Sequence, residues 1–362
     1  MLQGQLIISA DTKNAKKKTN IAYVKVHKCG STTMTSTFLR FAEINRMELP
    51  FCKSGWPYIS YPTTRQEIYT PEFRSNDRSK YNILAVHTMY NYTLWNRVMK
   101  HPFTLVGAAR EPFNQFESFF TFYKFHDFIS RKYKMPQSET LDFFLNEFNG
   151  RLKDEKWEFH GMSTQRIRNT MLLDYGMPLL DHSRNESGDV LKYINELTAN
   201  VTVFIIQDYF DESLVVLKNI LCWNWSDIVY DAFIHQRTPS PSGSLKSTNM
   251  SLIEERRRLH KIFSPYDYIF YGKSFSKLQS QIESITDFAE QLQEFRDIKS
   301  IIAGWCESSE RSPSDTLKLP VKYHASQITT IDDFGCSRLK IKTWQAYSDQ
   351  LLKSTTAKVD WI

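Results

Sequence analysis

Two rhythms of apolar and polar positions take turns along this chain. Ile21 to Val26 (IAYVKV) is a short β-branched run with a Tyr, which predicts a strand. His27 to Thr33 (HKCGSTT) is a small-residue loop. Met34 to Arg46 then repeats its apolar side chains at helical spacing, at Met34, Phe38, Phe41 and Ala42. Tyr81 to Val86 (YNILAV) predicts a second strand ending at His87, with a helix from about Tyr92 to Met99. Phe103 to Ala109 (FTLVGAA) predicts a third, ending at Arg110-Glu111-Pro112. Pro112 suits the first position of a helix that carries Phe113, Phe116, Phe119, Phe120 and Tyr123. Residues 139–175 read as helical, Val201 to Gln207 (VTVFIIQ) as a fourth strand, and Asp211 to Leu221 as an amphipathic helix with Asp211 as its N-cap. Continuous apolar strands alternating with helices predict an α/β fold around a buried, mostly parallel sheet.

Between these units the pattern breaks. Residues 1–20 are polar and Lys-rich and read as a loose leader. Residues 50–80 hold Pro50, Pro57, Pro62 and Pro71 among polar side chains, an irregular surface insertion. Thr238 to Thr248 reads as an exposed loop or linker, and Ser251 to about Phe295 as mostly helical. The last stretch alternates short polar and apolar pieces that assign no element. The expectation is one domain over residues 21–350. No apolar run approaches the ~18–20 residues that span a bilayer. Leu6 to Ala10 is too short for a signal-peptide core.

Composition narrows the picture a little. A chain of 362 residues with Gly 12 and Pro 13 is neither collagenous nor Pro/Gly-rich and disordered. The net charge of +6 comes without a dense Lys/Arg stripe, so an anionic ligand is expected and nucleic acid is not. The compact run Lys16, Lys17 and Lys18 reads as solvated. Aromatic residues make up 14%, which fits either a large core or a sugar-stacking surface. Cys29, Cys52, Cys222, Cys306 and Cys336 form no C-x-x-C pair, so a Cys-based zinc site is not expected. If Cys29 stays free, the other four allow three pairings. Asn91, Asn185, Asn200, Asn224 and Asn249 each begin an N-x-[ST] sequon, which tilts the chain towards the secretory pathway.

Three places can do chemistry. Lys28-Cys29-Gly30-Ser31-Thr32-Thr33, between a strand and a helix, makes an anion pocket of backbone amides, hydroxyls and one countercharge. Its Lys precedes the Gly, so it is not a nucleoside-triphosphate loop of the G-x-x-x-x-G-K-[ST] kind. Arg110, at the end of a later strand, is followed by Ser118 a little over two helical turns on; Arg plus a hydroxyl suits a phosphate monoester. His87 stands at the carboxyl end of a strand, where open α/β sheets bind ligands, and is the candidate general base. Glu117 is the alternative base. His27 is better placed to orient the loop.

The surrounding text resembles one family. Val24 to Thr33, Phe41-Ala42-Glu43, Asn82-Ile83 with His87, Arg110-Glu111-Pro112 with Phe116-Glu117-Ser118, Asn169-Thr170-Met171 with Asp174-Tyr175-Gly176, and Tyr209 to Leu217 are similar to the galactose 3-O-sulfotransferases. Cys29 stands where a Thr is usual, and Glu111 where an Asp is. The resemblance implies a three-layer, nucleotide-kinase-like sulfotransferase fold. It implies 3′-phosphoadenosine 5′-phosphosulfate (PAPS) as co-substrate, no metal, and a galactose-terminated glycan or glycolipid as acceptor. It assigns Lys28, Gly30, Ser31, Thr32 and Thr33 to the 5′-phosphosulfate, Arg110 and Ser118 to the 3′-phosphate, and His87 with Lys28 to catalysis. It also implies a Golgi membrane location, through an anchor not visible in these residues. The rival readings are a uronyl or heparan 2-O-sulfotransferase, whose polyanionic acceptor needs a more basic groove, and a non-catalytic glycan-binding protein on the same fold.

Overall fold

The computed structural model describes residues 16–51, 80–151, 158–159, 162–163, 167–177, 187–230, 250–308, 315–320, 328–332, 336, 339 and 358–361. The chain opens with β1 (Ile21–Tyr23), α1 (Ser31–Ile44), β2 (Glu48–Phe51), β3 (Ile83–Leu84), α2 (Tyr92–Val98) and β4 (Thr104–Ala109). It continues through α3 (Pro112–Phe122), α4 (Phe125–Tyr133), α5 (Thr140–Arg151), β5 (Glu158–Phe159), β6 (Met162–Ser163), α6 (Thr170–Asp174) and α7 (Ser187–Asn200). Then come β7 (Val203–Ile206), α8 (Phe210–Leu221), α9 (Trp225–Ile228), α10 (Met250–Phe263), α11 (Pro265–Glu283), α12 (Phe288–Glu307), β8 (Thr316–Pro320), β9 (Ile328–Asp332) and β10 (Lys358–Trp361).

The central sheet runs β3-β1-β4-β7 and is all parallel. Every residue of these four strands is buried, so helices cover both faces, as the unbroken apolar runs predict. Ile21 lies level with Ile83 on one side and Thr104 on the other. Parallel strands in register finish at one edge, so the segments after β1, β3 and β4 emerge side by side. β1 is shorter than the apolar run that predicts it. Its neighbour β3 pairs only at Ile83 and Leu84, and the ladder stops there, although Val24 and Val26 stay buried.

Other differences have local causes. Asp211 does not cap α8; Tyr209 holds the N-cap position, and Asp211 instead receives Lys299 Nζ at 2.7 Å and the Tyr230 hydroxyl at 2.7 Å. Lys17 and Lys18 are docked: Lys17 Nζ meets Asp227 at 2.6 Å, and Lys18 O accepts from the Trp223 indole at 2.9 Å. Pro50 and Phe51, expected at the start of an insertion, belong to β2, which pairs in parallel with β10. Residues 52–79 of that insertion, and Thr238 to Thr248, lie outside the described residues. Glu158–Phe159 and Met162–Ser163, expected to be helical, form a two-stranded antiparallel pair, β5 with β6.

Among the described residues most of the aromatic side chains are core. Trp95, Trp223, Trp225, Tyr23 and Tyr175 are fully buried around the sheet. A second cluster, with Phe116, Phe120, Phe125, Phe144 and Phe263, fills the space between α3, α4, α5 and α10. Cys306 on α12 is joined to Cys336, while Cys29 and Cys222 are free thiols. A link across 30 positions removes chain entropy from the unfolded state. Cys306→Ser is therefore expected to lower unfolding free energy by about 3 kcal/mol. Denaturant melts of the two proteins, each with and without reductant, check this; the reduced wild type should match the variant.

Candidate active site

Lys28 and Gly30 both take left-handed backbone conformations, at φ 62 and φ 67, and so turn the chain sharply from β1 into α1. The positive φ of Gly30 favours glycine, and a Cβ there would also press on Gln207 Oε1, 1.8 Å away, so that this side chain would have to move. Gly30 is the N-cap of α1 and carries no side-chain cap, and the first turn holds no acidic residue. The first-turn amides of a helix of 14 residues thus look out over the loop, with the positive end of the helix dipole behind them. Ser31 and Thr33 are buried within the turn, and Thr32 is exposed.

The loop is braced by side chains from its neighbours. Arg110 Nη1 donates to Lys28 O at 3.1 Å, which holds a lysine in a backbone conformation that side chains disfavour. Gln115 Nε2, on α3, donates to His27 O at 2.9 Å. Asp174, at the end of α6, accepts from His27 N at 2.7 Å. The Lys28 ammonium rests over the Phe122 ring, 4.1 Å from its centroid. Burial, and then the nearby Arg110, hold Lys28 below its ordinary 10.5. Cys29 is fully buried and packs the loop, and burial pushes its thiol well up.

Helix α3, which follows Arg110, carries Ser118. Glu111 occupies the N-cap and accepts from Asn114 N at 2.8 Å, with Pro112 in the first turn. Gln115, Ser118 and Phe122 are spaced i, i+3 and i+7, one stripe of α3. Gln115 touches His27 and Phe122 touches Lys28, so Ser118 between them lies on the face turned to the loop. Arg110 Nε is buried with no hydrogen-bond partner among the described residues, so this guanidinium has a donor to spare for an anion. Glu117 is displaced from this stripe. Burial lifts it above the ordinary carboxylate range, opposed by Arg256, Arg110 and Arg257.

His87 does reach the site, and it does not come alone. Its ring stacks on His27 with centroids 4.2 Å apart and planes 20° apart. Thr35 Oγ1 of α1 donates to Ala85 O at 3.1 Å, which ties the His87 segment to the loop helix. Burial holds His87 well below 6.5, helped by His27 and Lys25, so this ring is neutral. Lys25, buried beneath the pair, is pulled by burial to about 7. His27 Nδ1 lies 2.9 Å from Asp174 Oδ1 and 3.0 Å from Oδ2. His101 and His126 are occupied elsewhere, with Asn96 O and Thr140 Oγ1. His160 lies outside the described residues.

Sequence reasoning singles out Lys28, Gly30, Ser31, Thr32, Thr33, Arg110, Ser118 and His87, and all of them sit at one sheet edge. It gives no role to Asp174, Gln115, Gln207 or Thr170, whose hydroxyl donates to Gln115 Oε1 at 2.8 Å. These come from α3, α6 and the turn after β7, and no spacing in the chain ties them to the loop. His27 supports the loop as expected, and its stacking on His87 carries no sequence signal.

Residues 5–282 match the sequence model of the family described as galactose-3-O-sulfotransferase. The chain belongs to the galactose-3-O-sulfotransferase family. It is 26% identical over 247 residues to the human protein named galactosylceramide sulfotransferase, covering 67% of this chain and 55% of the relative. It is 24% identical over 283 residues to mouse galactose-3-O-sulfotransferase 2, covering 76% and 67%. To human galactose-3-O-sulfotransferase 3 it is 25% identical over 225 residues, covering 59% and 47%. The chain thus spans about half the length of most relatives it matches. No solved structure matches it. Within this family frame the four-stranded parallel sheet flanked by helices is a sulfotransferase-type α/β fold. Among the described residues no helix is long and apolar enough to cross a membrane.

Proposed function

We propose that this sulfotransferase-family chain moves a sulfuryl group from PAPS to the 3-hydroxyl of a β-galactoside on a glycolipid or glycoprotein glycan. One observation carries the reading. Two anion elements, the Lys28–Thr33 loop and Arg110 with Ser118, leave adjacent parallel strands at one edge, with an imidazole pair beside them. The donor set fits a ligand with two anionic ends: uncapped helix amides and Lys28 at one, a guanidinium with a spare buried donor at the other. PAPS, when bound, supplies the sulfuryl group and leaves as 3′-phosphoadenosine 5′-phosphate (PAP).

The chain's own groups then have distinct tasks. Lys28 and the amides of Gly30 to Thr33 hold the 5′ end, and Lys28 offsets the charge that grows on the bridging oxygen. Arg110 and Ser118 hold the 3′-phosphate. A ring of the His27–His87 pair takes the proton of the acceptor hydroxyl, a poor nucleophile without a base. A luminal location in the secretory pathway, with the Golgi as its site, goes with this reading. The Cys306–Cys336 link and the exposed sequon positions Asn91 and Asn200 support it.

The deciding experiment incubates the protein with labelled PAPS and a glycan array and reads the linkage by mass spectrometry. Sulfate on galactose O3 supports the proposal. Sulfate on uronic acids would replace it with the 2-O reading, and PAP binding without transfer to any glycan would leave a binding protein. His87→Ala is expected to keep PAP affinity within about 1 kcal/mol and to cut turnover ~10²-fold or more. It removes one ring of the pair and the surface that orients the other. Glu117→Gln should stay near wild type. The reverse ranking in steady-state rates would move the base to Glu117.

A further inference from the structure

The segment 169–177 is held far more firmly than its short helix requires. Asp267, on α11, accepts from Met171 N at 3.2 Å and Leu172 N at 3.1 Å. Asn169 Oδ1 accepts from Tyr266 N and Asp267 N. The Tyr175 hydroxyl accepts from Ala108 N at 2.7 Å and donates to Ala108 O at 3.0 Å, pinning the segment to β4. Gly107 lets it in, since a Cβ there would sit 2.6 Å from the Tyr175 oxygen. Tyr193 donates to Tyr175 O, and Tyr90 N, three residues after His87, donates to Asp174 O at 2.9 Å. What this frame presents is one side chain. Asp174 is 2% exposed, and it grips both the amide and the ring of His27.

We propose that Asp174 is a positioning residue for the transfer step, holding His27 as the Nδ1–H tautomer so that Nε2 is the lone pair offered to the acceptor hydroxyl. This rests on the sulfotransferase reading. A carboxylate can only accept, so the ring nitrogen it faces must carry the hydrogen. In the step, the acceptor O–H bond breaks, its proton passes to Nε2, and its electron pair forms the new O–S bond. The bond from sulfur to the bridging oxygen breaks, and that pair leaves on PAP. The imidazolium that forms on His27 has Asp174 as its countercharge. His87 has Lys25 close by instead, and two stacked rings cannot both carry charge cheaply. His87 then serves as the buried face that fixes the plane of His27. Gln115 completes the bracket, joining Thr170 at the head of α6 to the His27 carbonyl.

Asp174→Asn is the informative variant. It keeps one oxygen for the His27 amide but can place an NH₂ against Nδ1, which forces the other tautomer. With PAPS and a β-galactoside, kcat is expected to fall about 100-fold, both KM values to stay within about threefold, and PAP affinity and the thermal midpoint to be unchanged. Asp174→Glu should recover part of the loss. In His27→Ala, adding Asp174→Asn should change kcat less than about twofold, because the route through His27 is already gone. Ring ¹⁵N spectra, with His27 assigned by His27→Gln, should show Nδ1–H in the wild type and Nε2–H in Asp174→Asn. An Nε2–H wild type, an unchanged kcat in Asp174→Asn, or additive losses in the double variant would overturn the proposal. A wild type that transfers no sulfuryl group defeats the functional reading instead; the tautomer measurement needs no turnover and decides the hold on His27 either way.

Discussion

Lys28→Ala is expected to lower turnover by ~10²–10³-fold while weakening PAP binding by less than about tenfold. The asymmetry follows from where charge develops. In the proposed binding mode PAP is held by the first-turn amides of α1 and by Arg110 and Ser118, all of which survive the substitution. The bridging oxygen gains its charge only as the O–S bond breaks, so a cation at that oxygen stabilises the transition state more than the ground state. Lys28 is suited to this. Its ammonium rests on the Phe122 ring, 61% exposed at the rim, from which it can swing without breaking an ion pair seen among the described residues. Calorimetry with PAP and steady-state rates separate the two quantities. Equal losses in both would make Lys28 a plain binding residue.

Arg110→Ala should give the opposite profile: PAP binding weaker by about 2–4 kcal/mol, with a smaller effect on the chemical step at saturating donor. The variant removes the charge-assisted partner proposed for the phosphate. It also frees the Lys28 carbonyl, which Arg110 holds at 3.1 Å, so part of the loss is a loosened loop. Arg110→Lys distinguishes these contributions, since it keeps the charge and loses the planar fork. It should recover less than half of the lost affinity. Calorimetry again decides, and unchanged PAP affinity in Arg110→Ala would remove Arg110 from the 3′-phosphate site.

The sheet is legible in the chain because apolar runs at 21–26, 81–86, 103–109 and 201–207 have no polar face, and a strand covered on both sides is built that way. The loop proposed to bind an anion stands out in the sequence because its residues are contiguous, and Arg110 because it ends such a run. Asp174 is not, because its partner is separated from it by 147 positions and the contact exists only once α6 is pinned to β4. Asp211 misleads because its charge suits an N-cap, while its actual partners, Lys299 and Arg296, lie on α12. Helix α7 is amphipathic, but it begins inside a sequon whose polar residues mask its start. The strands β8 to β10 alternate too briefly to announce themselves, and they are fixed by pairing with distant or neighbouring segments.

The pairing of β2 with β10 sets an order of events in synthesis. Glu48 lies opposite Lys358, so the two strands leave the ribosome about 300 residues apart. At ~5–20 residues per second, β2 waits tens of seconds for its partner. Its neighbour in the chain, α1, meanwhile packs with the donor loop and can reach its final form without β10. A nascent chain arrested just before residue 358 should therefore already protect the loop proposed to bind PAP, and Glu48 through its bonds to Asn82, while leaving the backbone of Leu49–Phe51 more open to a protease or to a chaperone that reads unpaired strands. The loop proposed to bind the donor can thus be assembled long before β10 is made to complete the pairing of β2.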